Sequence, residues 1–145
     1  MGFENIEFEV RNGLAHLAYT AAGLAPDGSS TYFMPGMIGM RRTKELMLTN
    51  RRLSAAEALE WGIVQRVVPD DQLMLEAEKL ARSLASGPTK AFGVVKKLLL
   101  AGEMSDLEPQ LDAETSGIVA MADTSDGREG LTAFLEKRSP VFNGE

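Results

Sequence analysis

Chemistry needs a side chain that can move a proton, attack a carbon or hold an anion, and this 145-residue sequence offers few settings for one. Cysteine is absent, which excludes thiolate nucleophiles, thiolate metal sites and disulfides. The sole histidine, His16, falls on a short alternating segment with no triad partner in view, so a structural role is expected of it. Asp27 stands out, in the loop Ala25-Pro26-Asp27-Gly28-Ser29-Ser30. A carboxylate there is a useful base or nucleophile when it is partly desolvated. The same residues also make an ordinary turn: Pro presets φ, Gly permits positive φ, and Asp or Ser can cap a helix. On the motif alone both readings of Asp27 stand. Tyr19 lies eight residues earlier. Its ordinary pKa of about 10 makes it a poor base near neutral pH, so packing or pocket lining suits it better. Arg41-Arg42 read as a solvated helix face or a salt-bridging pair, and Trp61 as a core or interface anchor. Lys137-Arg138 sit where cations offset the dipole of a last helix. Neither a Gly-x-Gly phosphate loop nor a metal-ligand cluster is visible.

The elements that must position these residues are legible from periodicity and punctuation. Ile6, Phe8 and Val10 alternate with Glu7, Glu9 and Arg11, Asn12-Gly13 makes a two-residue hairpin turn, and Leu14 to Leu17 returns. Ser29 or Ser30 starts a short helix, Thr31 to Met34, stopped by Pro35-Gly36. An amphipathic helix follows from Ile38 to Thr49, with Met40, Leu46, Met47 and Leu48 as its apolar residues. Ser54-x-x-Glu57 is a capping box and Gly62 a terminating glycine, so residues 55 to 61 form a helix. The β-branched run Ile63 to Val68 predicts a strand that Pro69 ends. Four helices then follow, over Leu73 to Leu84, Lys90 to Leu100, Leu107 to Ala122 and Arg128 to Lys137. Their expected inward faces are Leu73, Ala77, Leu80, Ala81 and Leu84; then Phe92, Val95, Leu98 and Leu99; then Leu111, Thr115, Ile118 and Met121. The fold class is thus mostly α with a small β element, α+β.

A composition of 44% hydrophobic and 25% charged residues is that of a soluble globular chain with one core. The formal charge of −6 argues against a nucleic-acid surface. No apolar stretch reaches the roughly 18 residues a membrane helix needs, and the first ten residues lack signal-peptide character. A cytoplasmic protein, or one of an organelle matrix if a leader was removed, with neither nucleic acid nor membrane as partner is expected.

The stretch Gly23 to Leu73 carries a more specific pattern: a Pro-Asp loop, paired arginines, an amphipathic helix, a capped helix ending in Trp61-Gly62, and an apolar run ending in Pro69-Asp70. It resembles the C-terminal half of the enoyl-CoA hydratase/isomerase (crotonase-like) family. The similarity is to the branch with Pro-Asp in this loop, which includes acyl-CoA isomerases and aryl-CoA dehalogenases. The resemblance runs over residues 19 to 145 as one block and 2 to 17 as another. It implies a truncated crotonase-like fold, with residues 1–18 as an N-terminal β-hairpin remnant and 19–145 as the C-terminal helical region. It also implies an acyl-CoA substrate, no separate cofactor, and a homo-oligomer such as a trimer or hexamer. By the same resemblance Asp27 is the catalytic acid/base. Tyr19 and Leu24 contact substrate, and Phe134 and Lys137, in Ala-Phe-Leu-Glu-Lys-Arg-Ser-Pro, approach the coenzyme A nucleotide. Tyr19 stands where hydratases of the family carry a glutamate, which disfavours plain water addition. The chain departs from the family where His16-Leu17 pass directly to Ala18-Tyr19. The segment skipped would hold most of the sheet and both oxyanion-hole amides, so weak or no activity is expected. The alternatives are a non-catalytic helical module for oligomerisation and CoA capping, and an internal-deletion product joined at Ala18-Tyr19.

Overall fold

The computed structural model describes residues 14–145. The expected hairpin turn at Asn12-Gly13 and its first strand lie outside the described residues. Two compact units divide the chain, one ending at Pro69 and the other spanning Asp70–Glu145.

In the first unit, strand β1 (Leu14–Ala15) pairs antiparallel with β2 (Leu53–Ser54), in the register Leu14 to Ser54 and Ala15 to Leu53. Helix α1 spans Ser30–Thr49 and is broken at Gly39, where φ 80° and ψ 154° leave the helical region. The stop expected at Pro35-Gly36 therefore comes three residues later. Pro35 removes only the hydrogen bond to the carbonyl of Thr31, an exposed residue that water can serve. Gly39, by contrast, adopts a positive φ that few other residues tolerate. The break also resets the buried face. Of the four apolar residues read as the helix's amphipathic pattern, Leu46 and Met47 are buried, with Ile38 and Thr43 beside them, while Met40 and Leu48 are exposed. Ser54 caps α2 (Ala55–Glu60) by the expected capping box, its hydroxyl accepting from Glu57 N–H while the Glu57 carboxylate accepts from Ser54 N–H. Gly62, at φ 77°, turns the chain out of that helix.

Ile63 to Val68 is not a strand. Ile63 and Val64 N–H groups both bond back to the Ala58 carbonyl as the helix ends, and their side chains pack on the core. β-branched residues report a buried, extended surface, and here that surface is met without a ladder partner. The core itself gathers Leu17, Met34, Ile38, Leu46, Met47, Leu53 and Ala58, with Tyr19 and Trp61 packed against it.

The second unit is helical: α3 (Leu73–Ala85), α4 (Thr89–Gly102), α5 (Leu107–Ala122) and α6 (Ser125–Glu136). Helix α6 begins three residues earlier than its apolar pattern indicates, because Thr124 is its N-cap and accepts from Gly127 N–H. The expected inward faces are corrected here. Leu73, Leu80, Leu84, Val95, Leu99, Leu111 and Ile118 are exposed. Leu98 and Met121 are half-buried as expected, and helices α4 and α5 meet where Gly117 faces Val94 and Leu98 and where the Gln110 side-chain amide donates to the Leu98 carbonyl at 3.1 Å. Small residues set this seam: a Cβ on Gly117 would lie 3.0 Å from Val94 Cγ1. Large apolar residues one position away are left pointing outward.

The tail after α6 is held by two carboxylates. Asp126 is 3% exposed and accepts from the N–H groups of Asn143 and Gly144, at 2.8 and 2.9 Å. Its own N–H donates to the Glu145 carbonyl. Replacement Asp126→Asn puts an NH2 group against one of those N–H donors and leaves it unpaired, which should cost about 1–3 kcal/mol. Thermal unfolding of the variant checks this, together with loss of protection at the Asn143 and Gly144 amides. Glu129 forms a two-point pair with Arg138, at 2.6 and 2.9 Å, and accepts from Val141 N–H at 2.9 Å. Arg138 beside it, then that N–H, hold the Glu129 carboxyl down at about 2. A depressed folded value means that this clasp is fully present above the unfolded value near 4.5 and is lost as pH falls toward 2. The Val141 amide resonance should therefore titrate with a midpoint near pH 2, and should lose that titration in Glu129→Gln.

Candidate functional site

The loop from Tyr19 to Ser30 is built from tight backbone turns. Thr20–Ala22 form a 3-10 turn that ends at Gly23, with φ 72°. The Tyr19 carbonyl accepts from the N–H groups of Ala22 and Leu24, at 3.0 and 2.9 Å, which ties two of the predicted residues together. Tyr19 is half-buried and packs on the core, while Leu24 is 63% exposed.

Asp27 lies on the exposed stretch that enters α1. Its carbonyl, not its carboxylate, receives the helix entry: Ser30 N–H and the Ser30 hydroxyl both donate to it, at 3.1 and 2.9 Å. The N-cap position is Ser29, in the left-handed region at φ 65° and without a side-chain cap bond. A left-handed Gly28-Ser29 pair therefore turns the chain into the helix. The carboxylate of Asp27 is not consumed by capping, so the ordinary-turn reading accounts for its backbone alone. What a free carboxylate on such a loop can do is accept or return a proton, or attack a carbon, once a bound ligand excludes water from it.

The loop is moored to the end of α1 by a residue whose sequence setting drew no attention. Asn50 closes α1 in the left-handed region, at φ 51° and ψ 31°, and its N–H bonds to the Leu46 carbonyl. Its Oδ1 accepts from Ala21 N–H at 3.1 Å and stands 2.9 Å from the Thr20 hydroxyl, which also reaches the Met47 carbonyl at 2.7 Å. The Asn50 carbonyl lies 3.0 Å from His16 Nε2, which gives the histidine the structural role expected of it. Asn directly after a helix is a known termination signal, and that is the sign that could have drawn attention to it. Its side-chain contacts, with residues about thirty positions away, have no such sign.

Beside the core, Trp61 is flanked by two guanidinium groups, Arg42 at 4.5 Å and Arg51 at 5.1 Å from the ring centroid. Arg51 also pairs with Glu45 and Glu57, at 2.8 and 2.9 Å. The Ser54 N–H first, then its hydroxyl and then Arg51 hold the Glu57 carboxyl below its usual range. Arg42 is thus engaged with an aromatic face, and the cluster reads as a brace on α2.

Phe134 and Lys137 belong to the second unit. Phe134 is 82% exposed. Lys137 ends α6 in the left-handed region, at φ 56°, with its N–H bonded to the carbonyls of Ala133 and Phe134. The two are one turn apart on the same helix end and both are open to a ligand. A cavity of about 290 Å³ in this unit is lined by Pro88, Ala91, Met121, Gly127, Leu131 and Phe142 among others, and none of the five predicted site residues borders it.

This helical architecture, with a Pro-Asp loop feeding a broken helix, defines a crotonase-like chain. The solved structure of an enoyl-CoA hydratase from Bacillus anthracis superposes with a TM-score of 0.81 at 37% identity, over 91% of this chain and 51% of that one. A model of the enoyl-CoA hydratase/isomerase family matches residues 11–145, and the chain belongs to that family. It is similar to 1,2-epoxyphenylacetyl-CoA isomerase of Escherichia coli K12, 38% identical over 97% of this chain and 54% of the relative. It is also similar to 4-chlorobenzoyl coenzyme A dehalogenase-1 of an Arthrobacter species, 36% identical over 83% of this chain and 44% of the relative. The chain spans about half the length of the curated relatives it matches.

Proposed function

We propose that this chain acts on an acyl-CoA thioester by double-bond isomerisation, with Asp27 as the acid/base. Asp27 takes a proton from carbon conjugated with the thioester carbonyl, the electron pair is held as an enolate, and the proton returns at a different carbon. The double bond moves and the carboxylate is regenerated. The observation that carries this reading is the Pro26-Asp27 loop, whose carboxylate is left uncommitted by the helix it precedes. Relatives named for CoA thioesters support the substrate class. Tyr19 and Leu24 border the acyl chain. Phe134 stacks on the adenine and Lys137 faces the phosphates of coenzyme A, an arrangement suited to an aromatic face and a point charge. No further cofactor takes part.

In the family pattern the enolate is held by two backbone N–H groups from the segment skipped between Leu17 and Tyr19. Loss of even one such donor costs about 10²–10³ in rate. These 145 residues by themselves therefore turn over weakly or not at all, unless a partner chain supplies the donors. The test is turnover of unsaturated acyl-CoA thioesters, followed by the absorbance change of double-bond migration, with Asp27→Asn as control. Turnover abolished by the substitution supports the reading, and turnover indifferent to it removes Asp27 from the chemistry.

A second reading is favoured by the second unit, where Phe134, Leu135, Ile118 and Leu131 are all more than half exposed. It makes the chain a helical module that self-associates and caps a coenzyme A site without catalysing. A folded chain with no turnover that sediments as an oligomer would favour this second reading.

A further inference from the structure

We propose that Asn50 is the positioning residue for the loop that carries Asp27, acting through its carboxamide. The inference rests on the reading of Asp27 as the acid/base. Two anchors bracket that aspartate. Downstream, Ser30 holds the Asp27 carbonyl by its N–H and its hydroxyl. Upstream, the 3-10 turn Thr20–Ala22 needs a fixed point outside itself, because its own bonds run only between near neighbours. Asn50 supplies it by taking the Ala21 N–H on Oδ1, with the Thr20 hydroxyl in reach of the same oxygen. The carboxamide is in turn fixed by its backbone, which closes α1 and receives His16 on its carbonyl. Helix end, turn and aspartate thus form one connected path.

A rival account is that Asn50 serves only to end the helix in the left-handed region, and the two accounts part on one substitution. Glycine fits that backbone region better than any other residue. If ending the helix were the whole role, Asn50→Gly would be neutral or stabilising. If the carboxamide moors the loop, Asn50→Gly frees it although the helix end is undisturbed.

The experiment is amide hydrogen exchange on the full chain, comparing the unaltered protein with Asn50→Gly and Asn50→Asp. Aspartate keeps an oxygen acceptor and tolerates the left-handed region, so it serves as the rescue. Expected in Asn50→Gly is about tenfold faster exchange at Ala21, the scale of one net hydrogen bond. Amides of α2 should be unchanged, and Asn50→Asp should keep the original protection. Should Asn50→Gly accelerate exchange throughout the first unit, Asn50→Asp decides, since it returns the acceptor oxygen at the same helix end. Local acceleration at Ala21 supports the mooring. Unchanged exchange at Ala21 in the glycine variant, or no restored protection there in Asn50→Asp, overturns it. Asp27→Asn should leave Ala21 protection intact whatever it does to turnover, so failure of the acid/base reading is seen separately from failure of the mooring.

Discussion

Replacing Gly127 by alanine should destabilise the second unit by about 3 kcal/mol or more, even though alanine is the better helix former. Gly127 sits in the first turn of α6, and a Cβ there would lie 2.0 Å from the Met121 carbonyl oxygen and 2.9 Å from its carbon. No rotamer change relieves that contact, since both sides are backbone. The turn between α5 and α6 must open by an ångström or so. The same carbonyl accepts from Thr124 N–H at 3.1 Å and from the Thr124 hydroxyl at 2.7 Å, and the Gly127 N–H is capped by that hydroxyl. Opening the turn therefore loses several bonds at once, each worth about 1 kcal/mol net. The gain from alanine's helix propensity, about 1 kcal/mol, is smaller than these losses. Gly93 is the control: it lies inside α4 with open space around a built Cβ, so Gly93→Ala should stabilise by about 0.5–1 kcal/mol. Thermal unfolding of both variants should show opposite shifts, with a fall of roughly 10 °C for Gly127→Ala.

Where a partner chain supplies the oxyanion donors and turnover is measurable, Asp27→Asn should reduce isomerisation by about 10²–10⁴, the usual contribution of a positioned general acid/base. Asparagine has nearly the same shape, so the loop should be preserved: the bonds that build it run to the Asp27 carbonyl. What is lost is the ability to hold a proton between its departure and its return. A change of that size in turnover, with the far-ultraviolet dichroism and Ala21 protection unaltered, separates chemistry from folding. A fall in affinity for acyl-CoA with unchanged turnover at saturation would instead place Asp27 among the binding groups. If neither protein turns over while both stay folded, the helical association reading gains, and sedimentation becomes the deciding measurement.

Much of the fold is readable in the chain because local signals and local structure coincide there. The Ser54–Glu57 capping box, the Gly62 exit and the limits of α5 are set by residues within one helical turn of each other. The resemblance to the enoyl-CoA hydratase/isomerase family rests on the same kind of short-range order, and the family match bears it out. The errors arise where a local pattern admits two tertiary solutions. Ile63 to Val68 has strand composition, yet a strand exists only if a neighbour offers its N–H and C=O groups, and Ile63 and Val64 spend their N–H groups on ending α2. Pro35-Gly36 looks like a stop, but the helix tolerates a missing donor where water can replace it and ends its first segment at Gly39 instead.

The sequence by itself determined the helical class, most element limits, the family and the Pro-Asp loop as the place to look for chemistry. Only the tertiary structure decided which helix faces are covered, since α4 and α5 approach where Gly117 meets Val94 and Leu98 and leave Leu99, Leu111 and Ile118 exposed. It also decided what holds the loop before α1 and the tail: Asn50 reaches Ala21 across 29 positions, and Asp126 reaches Asn143 and Gly144 across 17 and 18. The physical reason is one of range. Caps and turns are written by neighbours whose separation the backbone fixes, whereas a side chain's distant partner depends on how whole helices come to rest, and no local spacing encodes that.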